Sequence, residues 1–314
     1  MKQHITRAYN SFDEGAFGTI TKKSNEKRLD HEIQYYDKIH NTLHSIHFPR
    51  LIRSWYAPWT DSLYNVTLEY YPYRNLGQIM INDDFDKSFW ENVYSYLCDI
   101  LDSFRKEDRE GDFTSHAVGM YETKTWKYYQ ELLKVPKFLK ICESENIEIN
   151  GVFYRNFGNI WEEVKEKINS LLIPFLKSSV IHGDLCFSNI LSSETDKLVL
   201  RLIDPRGSFG DQGIYGDHHY DWAKILHSID GGYEYIIYDE FTLDAELERN
   251  RFRYSYSNEN KNKIMEVFGD FHEGYKLIQG LIYIGMCSRH YDSFLRQLVM
   301  YLNGVRILNE VLDA

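Results

Sequence analysis

The residues best suited to chemistry are two carboxylates and a carboxamide in the stretch 180–207, VIHGDLCFSNILSSETDKLVLRLIDPRG. Asp184 follows a His-Gly pair, Asn189 comes after four intervening residues, and Asp204 opens the sequence Asp-Pro-Arg-Gly. Leucines at 198, 200 and 202 alternate with other residues, which is the period of a strand with one buried face. The polar turn 192–196 before them indicates a β-hairpin. Because a hairpin places its two ends side by side, we expect the three side chains to converge.

Oxygen-bearing side chains this close together disfavour joint ionisation unless a cation lies between them. Mg²⁺ suits such a site because it takes one or two carboxylates, an amide oxygen and substrate phosphates. Protein kinases use an Asp, four residues and an Asn in the same way, followed by a metal-binding Asp. We therefore predict a catalytic site of Asp184, Asn189 and Asp204, in which Asn189 and Asp204 bind the metal.

The alternative is a simple turn, because Asp and Asn side chains favour turns held by local hydrogen bonds to the backbone. One short motif would not decide between a turn and a metal site. Two motifs joined by a strand pattern favour the metal site.

The pattern HGD, four residues and Asn, followed by IDPRG, resembles the aminoglycoside phosphotransferase and choline kinase family, small-molecule kinases of the protein-kinase-like fold. The wording HGDLCFSNIL and LIDPRG is similar, more narrowly, to kinase-like proteins of bacterial capsule and surface-polysaccharide biosynthesis. The resemblance covers the motifs well and the rest of the chain in outline. It implies an α+β fold with two lobes, a small β-rich nucleotide-binding lobe over residues 1–75 and a larger, mainly helical catalytic and acceptor-binding lobe over 76–314.

The resemblance also implies an activity, the transfer of the ATP γ-phosphate to a hydroxyl of a small metabolite, with ATP and Mg²⁺ as cofactors. In that scheme Asp184 orients the acceptor hydroxyl and accepts its proton. The acceptor is left open between an amino alcohol, a sugar and a polyol. Two other classes remain: a nucleotide-binding scaffold without turnover, which would lose a catalytic group, and a protein kinase, which would need a longer activation segment than the sequence after Asp204 provides.

A glycine turn, a lysine and a glutamate complete the expected nucleotide site. Gly15 and Gly18 flank a turn in which backbone N–H groups can approach phosphate oxygens, although glycines in plain hairpins are commoner. By resemblance, Lys22 in the following strand holds the phosphates and Glu32 on the next helix holds the lysine. Alternation does not decide whether Lys22 or Lys23 faces inward, and a solvated lysine pair with a surface glutamate is the alternative.

The other elements are predicted from apolar periodicity. Helices are expected over 26–43, 85–104, 123–142, 159–172, 275–286 and 294–312, and strands around 55–56 and 66–70. Residues 208–220 are expected as an ordered loop or a mobile lid, and no element is predicted for 151–158 or 241–256. By resemblance, Glu69 and Tyr71 lie at the hinge whose main-chain groups bind adenine.

Arg206 and Asp221 are the candidates on the acceptor side. The planar fork of Arg206 suits a phosphate or an anionic substrate, or else a structural ion pair. Asp221 is predicted as a helix N-cap, and in the resembling kinases it braces the catalytic loop. The adjacent histidines 218–219 are interpreted as loop residues rather than metal ligands. An excess of acids favours an acceptor without net negative charge, although surface acids would give the same count: Asp211, Asp217, Asp221, Asp230, Glu234, Asp239 and Glu240.

Composition limits the partners. The chain has 314 residues, 43% of them hydrophobic, and a net charge of −11, so it can form one large or two smaller domains. A nucleic-acid partner is excluded because phosphate binding requires a basic face. No apolar stretch reaches the length of a membrane span and the first ten residues lack a signal-peptide core, so we expect a cytoplasmic protein. The four cysteines show neither a disulfide framework nor a zinc spacing, which predicts reduced thiols.

Overall fold

The computed structural model describes residues 10–15, 18–59, 63–82, 85–107, 109, 111–194, 198–257 and 260–314. The chain divides into two compact units, each assembled from separate segments. Unit 1 comprises segments 1–79, 84–110 and 178–221, and unit 2 comprises 80–83, 111–177 and 222–314. None of the helices in the described ranges is long and apolar enough to cross a membrane.

The strands in chain order are β1 (Asn10–Gly15), β2 (Thr19–Ser24), β3 (Leu51–Tyr56), β4 (Tyr64–Glu69), β5 (Arg74–Asn75), β6 (Asn146–Ile149), β7 (Val152–Arg155), β8 (Ser178–Val180), β9 (Ile190–Ser192), β10 (Leu200–Leu202), β11 (Ser208–Phe209), β12 (Asp211–Gln212), β13 (Tyr215–Asp217), β14 (Phe241–Glu246) and β15 (Arg251–Tyr256). The α-helices are α1 (Arg28–Ile39), α2 (Leu76–Asn82), α3 (Lys87–Arg105), α4 (Thr114–Val118), α5 (Lys124–Leu133), α6 (Pro136–Cys142), α7 (Phe157–Leu171), α8 (His219–Ile229), α9 (Tyr233–Ile237), α10 (Asn260–Phe268), α11 (Glu273–Cys287) and α12 (Phe294–Asp313). Short 3₁₀ turns lie at Leu43–His47, Ile173–Phe175, Phe187–Asn189 and Leu247–Arg249, and a π-helical turn at Gly119–Thr123.

Unit 1 contains an antiparallel four-stranded sheet with the strand order β1-β2-β4-β3. β2 lies inside the sheet, where Lys22 stands opposite Phe12 of β1 and Val66 of β4. β4 is buried along most of its length, whereas β3 at the sheet edge is largely exposed. α1 packs on this sheet and buries the predicted apolar face, Leu29, Ile33, Tyr36 and Ile39, together with Glu32. A glutamate on the buried face of a helix requires a partner.

The predicted hairpin around the two motifs is confirmed. β9 and β10 pair antiparallel, with Leu200 opposite Ser192 and Leu202 opposite Ile190. Both leucines are completely buried, as their alternation predicts. Residues 195–196 of the predicted turn lie outside the described residues. β5 joins β9 to complete a three-stranded sheet.

The segment 208–220 forms more structure than expected. β11 and β12 pair with each other, and β13 pairs with β8, placing Tyr215 opposite Val180. The expectation of a loop without elements was therefore wrong. These strands are two or three residues long, too short to show a period, and the partner of β13 is distant in sequence.

Unit 2 is mainly helical and contains a second four-stranded sheet, in the order β14-β15-β6-β7. The apolar helices α11 and α12 pack against each other, as their periodicity predicts. The predicted helix over 123–142 is divided into α5 and α6 just before Pro136, in agreement with the interruption expected there. The four cysteines are free, also as predicted.

Three strands of the second sheet lie in segments for which no element was predicted. β7 occupies half of the segment 151–158, and β14 and β15 form a hairpin across 241–256. β15 also pairs in parallel with β6, with Phe252 opposite Ile149. β14, FTLDAE, and β15, RFRYSY, do alternate apolar or aromatic residues with polar ones, which is the period of a strand, so the sequence carried a signal that the prediction overlooked. The four residues of β7, VFYR, show no such alternation.

A fully buried histidine lies in the core of unit 2. The ring of His227 is 4.4 Å from the rings of both Tyr233 and Tyr283. In the described part of the chain, neither of its ring nitrogens has a hydrogen-bond partner. Burial, helped by the positive charges of Lys224 and His290, lowers the pKa of His227 well below its usual range. The ring is therefore neutral near pH 7.

Replacing this ring should reduce the acid sensitivity of the protein. A group whose pKa is lower in the folded state binds fewer protons there than in the unfolded state, so stability falls as the pH drops below about 6.5. His227→Phe keeps an aromatic ring between the tyrosines but cannot be protonated. We expect its free energy of unfolding to fall less steeply from pH 6.5 to 5, by up to about 1.4 kcal/mol per pH unit. Urea unfolding at both pH values measures this, and equal slopes would remove His227 as the cause.

Candidate catalytic and nucleotide site

The loop between β8 and β9 is tied to the end of β10 by one buried histidine. Nδ1 of His182 accepts the N–H of Asp184 at 3.2 Å, and Nε2 lies 2.9 Å from the carbonyl oxygen of Ile203. These partners assign the proton to Nε2, which donates to that carbonyl. The ring of Phe48 stacks on His182 at 6.0 Å. Because Ile203 directly precedes Asp204, the histidine couples the two motifs.

The two motifs are also joined through Asn189. Its side-chain Nδ2 donates to the backbone carbonyl of Asp184 at 2.8 Å, and its backbone carbonyl accepts the N–H of Ile203 at 3.0 Å. The turn-forming hydrogen bonds of the alternative interpretation are therefore present. They also place Asp184 and Asp204 on neighbouring loops, as the hairpin predicts.

Asp204 has a left-handed backbone with φ +57°. Asp is among the few residues besides Gly that adopt this conformation readily. The turn occurs directly after β10. It places the partly exposed carboxylate with Oδ1 2.9 Å from the Nζ of Lys22.

Lys22 is the centre of a buried ionic cluster. Its Nζ lies 2.7 Å from Oε2 of Glu32 and 2.9 Å from Oδ1 of Asp204, and the residue is 6% exposed. Lys23, by contrast, turns outward and pairs with Asp13. Lys22 therefore faces inward and Lys23 faces outward, a choice that the alternation of residues along the strand left open. The alternative of two solvated lysines is wrong for Lys22.

Two carboxylates share one ammonium in this cluster. Burial alone would lower the pKa of Lys22, but the negative charges of Asp204 and Glu32 outweigh it and raise the pKa above its usual range. Burial raises the pKa of Glu32 against the attraction of Lys22, and Asp204 raises it further. Lys22 is therefore protonated, and its single positive charge is shared by two carboxyl groups, of which Glu32 has its pKa raised to about 7.

The donor set fits a magnesium ion. Asp204 offers a partly exposed carboxylate, and Asn189 offers the oxygen of an amide whose nitrogen is held by Asp184. Hard oxygen donors of this kind, completed by phosphates and water, are those that Mg²⁺ prefers. The negative charge of the Asp204 carboxylate favours a cation in the same place.

Asp221 holds the catalytic loop from within the protein. Its two carboxylate oxygens accept the N–H groups of His182 at 2.7 Å and Gly183 at 2.8 Å, and it is 1% exposed. The prediction that Asp221 braces this loop is confirmed. The prediction that Asp221 contacts the acceptor is wrong, because both of its carboxylate oxygens accept hydrogen bonds inside the fold. The predicted N-cap is also wrong: α8 begins at His219, whose N–H is accepted by Asp217 at 3.1 Å.

The hinge candidates lie at the end of β4. The N–H of Glu69 donates to the backbone carbonyl of Arg50, and the N–H of Tyr70 donates to the backbone carbonyl of Gly18. Both amides are therefore used within unit 1. In the described part of the chain, the N–H of Tyr71 makes no hydrogen bond to the backbone. The Tyr71 hydroxyl donates to Glu69 at 2.8 Å, and Arg201 lies over the Tyr71 ring at 5.1 Å.

The glycine turn is only partly visible. Gly15 ends β1 opposite Thr19 of β2, while residues 16–17 at its centre lie outside the described residues. Gly18 has φ +67°, a conformation that favours glycine. Whether this turn contacts phosphates stays a prediction.

The acceptor-side candidates are engaged within the fold. A guanidinium nitrogen of Arg206 donates to the Tyr220 hydroxyl at 3.0 Å, which supports a structural role for part of its fork. Asp217 accepts from His219 at 2.8 Å, and with His218 these residues lie close enough to hold an ion. Capping of α8 by Asp217 accounts for the arrangement.

Most acids of the segment after Arg206 have partners. Besides Asp217 and Asp221, Glu234 accepts from Ser228 at 3.0 Å, Asp230 accepts from Gln279 at 3.0 Å and Asp239 pairs with Arg296 at 2.6 Å. The count of acids therefore overstates the negative charge that an acceptor would meet.

Sequence reasoning missed Tyr35. Its hydroxyl donates to the carbonyl of Ile181 at 3.0 Å, one residue before His182. The helical pattern marks Tyr35 only as a candidate for burial, and nothing in the sequence indicates its partner.

Solved structures of aminoglycoside phosphotransferases share this fold. The GDP and kanamycin complex of APH(2″)-IIIa is 13% identical, with 99% of this chain and 92% of that chain covered and a TM-score of 0.53. A thermostable mutant of APH(4)-Ia with AMP-PNP and hygromycin B is 11% identical, with 98% and 92% covered and a TM-score of 0.56. The streptomycin–ATP complex of APH(2″)-IIa is 12% identical, with 94% and 88% covered and a TM-score of 0.51.

At these identities the similarity shows the fold alone. The predicted two-lobed α+β fold of the protein-kinase-like class is confirmed. No protein-family model and no curated protein sequence matches the chain.

Removing the Asp221 carboxylate should destabilise unit 1. Asp221→Ala leaves two buried amides without their acceptor, at a cost of about 1–3 kcal/mol each. Asp239→Ala is the control, since it removes only an exposed ion pair with Arg296 and should cost less than about 1 kcal/mol. Urea unfolding of both variants measures the difference, and equal losses would show that Asp221 does not hold the loop.

Proposed function

We propose that the protein is an ATP-dependent small-molecule kinase, which transfers the γ-phosphate of ATP to a hydroxyl of a small metabolite. The observation that carries this proposal is the buried cluster of Lys22 with Glu32 and Asp204, adjoined by the loop of Asp184. A scaffold without turnover would have no need of all these groups. The fold neighbours, which include a complex with ATP and streptomycin and one with AMP-PNP and hygromycin B, support a nucleotide and a hydroxyl-bearing acceptor as ligands.

Asp184 is the catalytic base in this scheme. Its carboxylate is partly exposed on a loop whose backbone is fixed by Asn189 and His182. It orients the acceptor hydroxyl and takes its proton as the oxygen attacks the γ-phosphorus, while the bond from that phosphorus to the β,γ-bridging oxygen breaks and ADP leaves. Such a reaction depends mainly on positioning and charge neutralisation, so few residues suffice.

Lys22 contacts the phosphates of the nucleotide. It is protonated and held in place by Glu32, so it supplies a fixed positive charge within β2. Gly15 and Gly18 flank the turn that covers the phosphates. At the hinge, the amides of Glu69 and Tyr70 are used within unit 1, so the adenine contacts fall to the Tyr71 N–H and the Glu69 carbonyl.

Asn189 and Asp204 hold the magnesium ion. When bound, Mg²⁺ neutralises the negative charge of the phosphate oxygens. Asn189 has a double role, because its nitrogen fixes the Asp184 carbonyl while its oxygen serves as a ligand.

The acceptor is an amino alcohol, a sugar or a polyol. The acids after Arg206 give only weak support for an acceptor without net negative charge, because most of them have hydrogen-bond or ion-pair partners within the fold. We further propose a role in capsule or surface-polysaccharide biosynthesis, because HGDLCFSNIL and LIDPRG resemble the motifs of kinase-like proteins of those pathways.

An acceptor screen tests the proposal. Amino alcohols, sugars, polyols and their phosphorylated forms are offered with ATP or GTP and Mg²⁺, and release of the nucleoside diphosphate is measured. We expect turnover with at least one uncharged or cationic alcohol, and Asp184→Asn should reduce it about a hundredfold or more with nucleotide affinity nearly unchanged. Nucleotide binding without turnover on any acceptor would favour the scaffold, and full activity of the variant would remove Asp184 from catalysis.

A second experiment tests the metal site. Asp204→Ala should abolish the extra thermal stabilisation that Mg²⁺ gives to the ATP complex, because one of the two protein ligands is lost. Arg206→Ala, two residues away, should retain it. Melting temperatures with ATP, with and without Mg²⁺, separate the variants. An unchanged magnesium effect in Asp204→Ala would exclude Asp204 as a ligand.

A further inference from the structure

Helix α1 is fixed to the catalytic segments of unit 1 at three points. Glu32 pairs with Lys22 of β2. Tyr35, one turn along α1, donates its hydroxyl to the carbonyl of Ile181. Gly207, three residues after Asp204, touches the helix backbone next to Glu32.

The contact of Tyr35 is well defined. The residue is 1% exposed, and its ring lies 5.5 Å from that of Phe48, which stacks on His182. Burial and the nearby charge of Asp221 raise the pKa of the Tyr35 hydroxyl well above its usual range, so it stays a hydrogen-bond donor. Glu32 and Tyr35 are three residues apart and therefore share a helix face.

The contact of Gly207 leaves no space for a side chain. A Cβ at this position would lie 2.1 Å from the carbonyl oxygen of His31 and 3.0 Å from the nitrogen of Glu32. Its φ of +67° also favours glycine. The loop that carries Asp204 thus packs directly on the helix backbone at the glutamate.

We propose that Tyr35 and Gly207 are positioning residues, which hold α1 so that the Lys22–Glu32 pair is assembled before any nucleotide binds. The nucleotide site is then permanently formed and needs no partner or modification to move the helix. The inference rests on the proposed function only where it takes Lys22 as the phosphate contact. The competing view is that α1 moves freely and that the pair forms when nucleotide arrives.

Chemical labelling of Lys22 without nucleotide tests the proposal. An amine-reactive succinimidyl ester modifies lysines whose amine is accessible to solvent, as that of Lys23 is even in its exposed ion pair with Asp13. Fragment-ion mass spectrometry distinguishes Lys22 from Lys23. Lys23, with 33% of its side chain exposed on the same strand, is an internal control for reagent and digestion. In the wild type, Lys22 should react at least about tenfold more slowly than Lys23, because reaction requires local opening.

Each variant has a matched control in unit 2. Tyr35→Phe removes one buried hydroxyl, and Tyr283→Phe removes another, which donates to the carbonyl of His227 at 3.1 Å. Gly207→Ala adds a methyl group against His31. Gly269→Ala adds one at φ +74°, with nothing within 4 Å, so it reproduces the backbone strain without the clash.

Lys22 should be labelled about two- to tenfold faster in the Tyr35→Phe variant than in the Tyr283→Phe variant, which is the range that the loss of one hydrogen bond allows. Both variants should lose similar thermal stability. Gly207→Ala should accelerate labelling more than Gly269→Ala. The proposal is overturned if Lys22 is labelled at the same rate in the Tyr35→Phe and Tyr283→Phe variants, or if Lys22 of the wild type reacts as fast as Lys23. Should Gly207→Ala fail to fold, the tyrosine pair still decides.

The labelling is independent of the proposed function because no nucleotide is present. A separate thermal-shift measurement with ATP and Mg²⁺ on the wild type reports on nucleotide binding. Absence of binding would overturn the kinase proposal and leave the labelling result valid, whereas binding with equal labelling of the tyrosine variants would overturn only the positioning of α1.

Discussion

The ammonium group of Lys22, buried between Glu32 and Asp204, is the interaction on which the architecture of unit 1 depends. Removing charges from water costs several kcal/mol for each ion, and good geometry is needed to offset this. Lys22 lies on a strand and Glu32 on the helix that follows it, whereas Asp204 lies at the end of a hairpin 182 residues after Lys22. The cluster is therefore complete only when all three elements are in place, and loss of Lys22 would leave the buried Glu32 without a positive partner.

Around this cluster, the loop between β8 and β9, which carries Asp184, is held almost entirely through its backbone. His182, Asn189 and Asp221 each use a side chain to bind main-chain groups of the loop or of the neighbouring strand end. Such bonds fix the path of the loop while Asp184 stays partly exposed. This division suits phosphoryl transfer, in which positioning contributes more than covalent chemistry.

Charge counted along the sequence is a poor guide to the acceptor. The acids after Arg206 suggested an anionic wall, yet Asp230 and Asp239 have partners and Glu234 is buried against Ser228. A carboxylate that caps a helix or receives a buried donor contributes little to the field outside the protein.

The sequence by itself determined the hairpin, both motifs and most helices, because spacing and periodicity are local properties of the chain. The family resemblance that those motifs carry also indicated Glu32 as the helix partner of a strand lysine. Only the tertiary structure decided that Lys22 rather than Lys23 faces inward, since this depends on which face of β2 is covered. The same holds for the bracing geometry of Asp221, the contact of Tyr35 with Ile181 and the pairing of β15 with β6. Each joins segments that are distant in sequence, and no local pattern encodes the partner of such a contact.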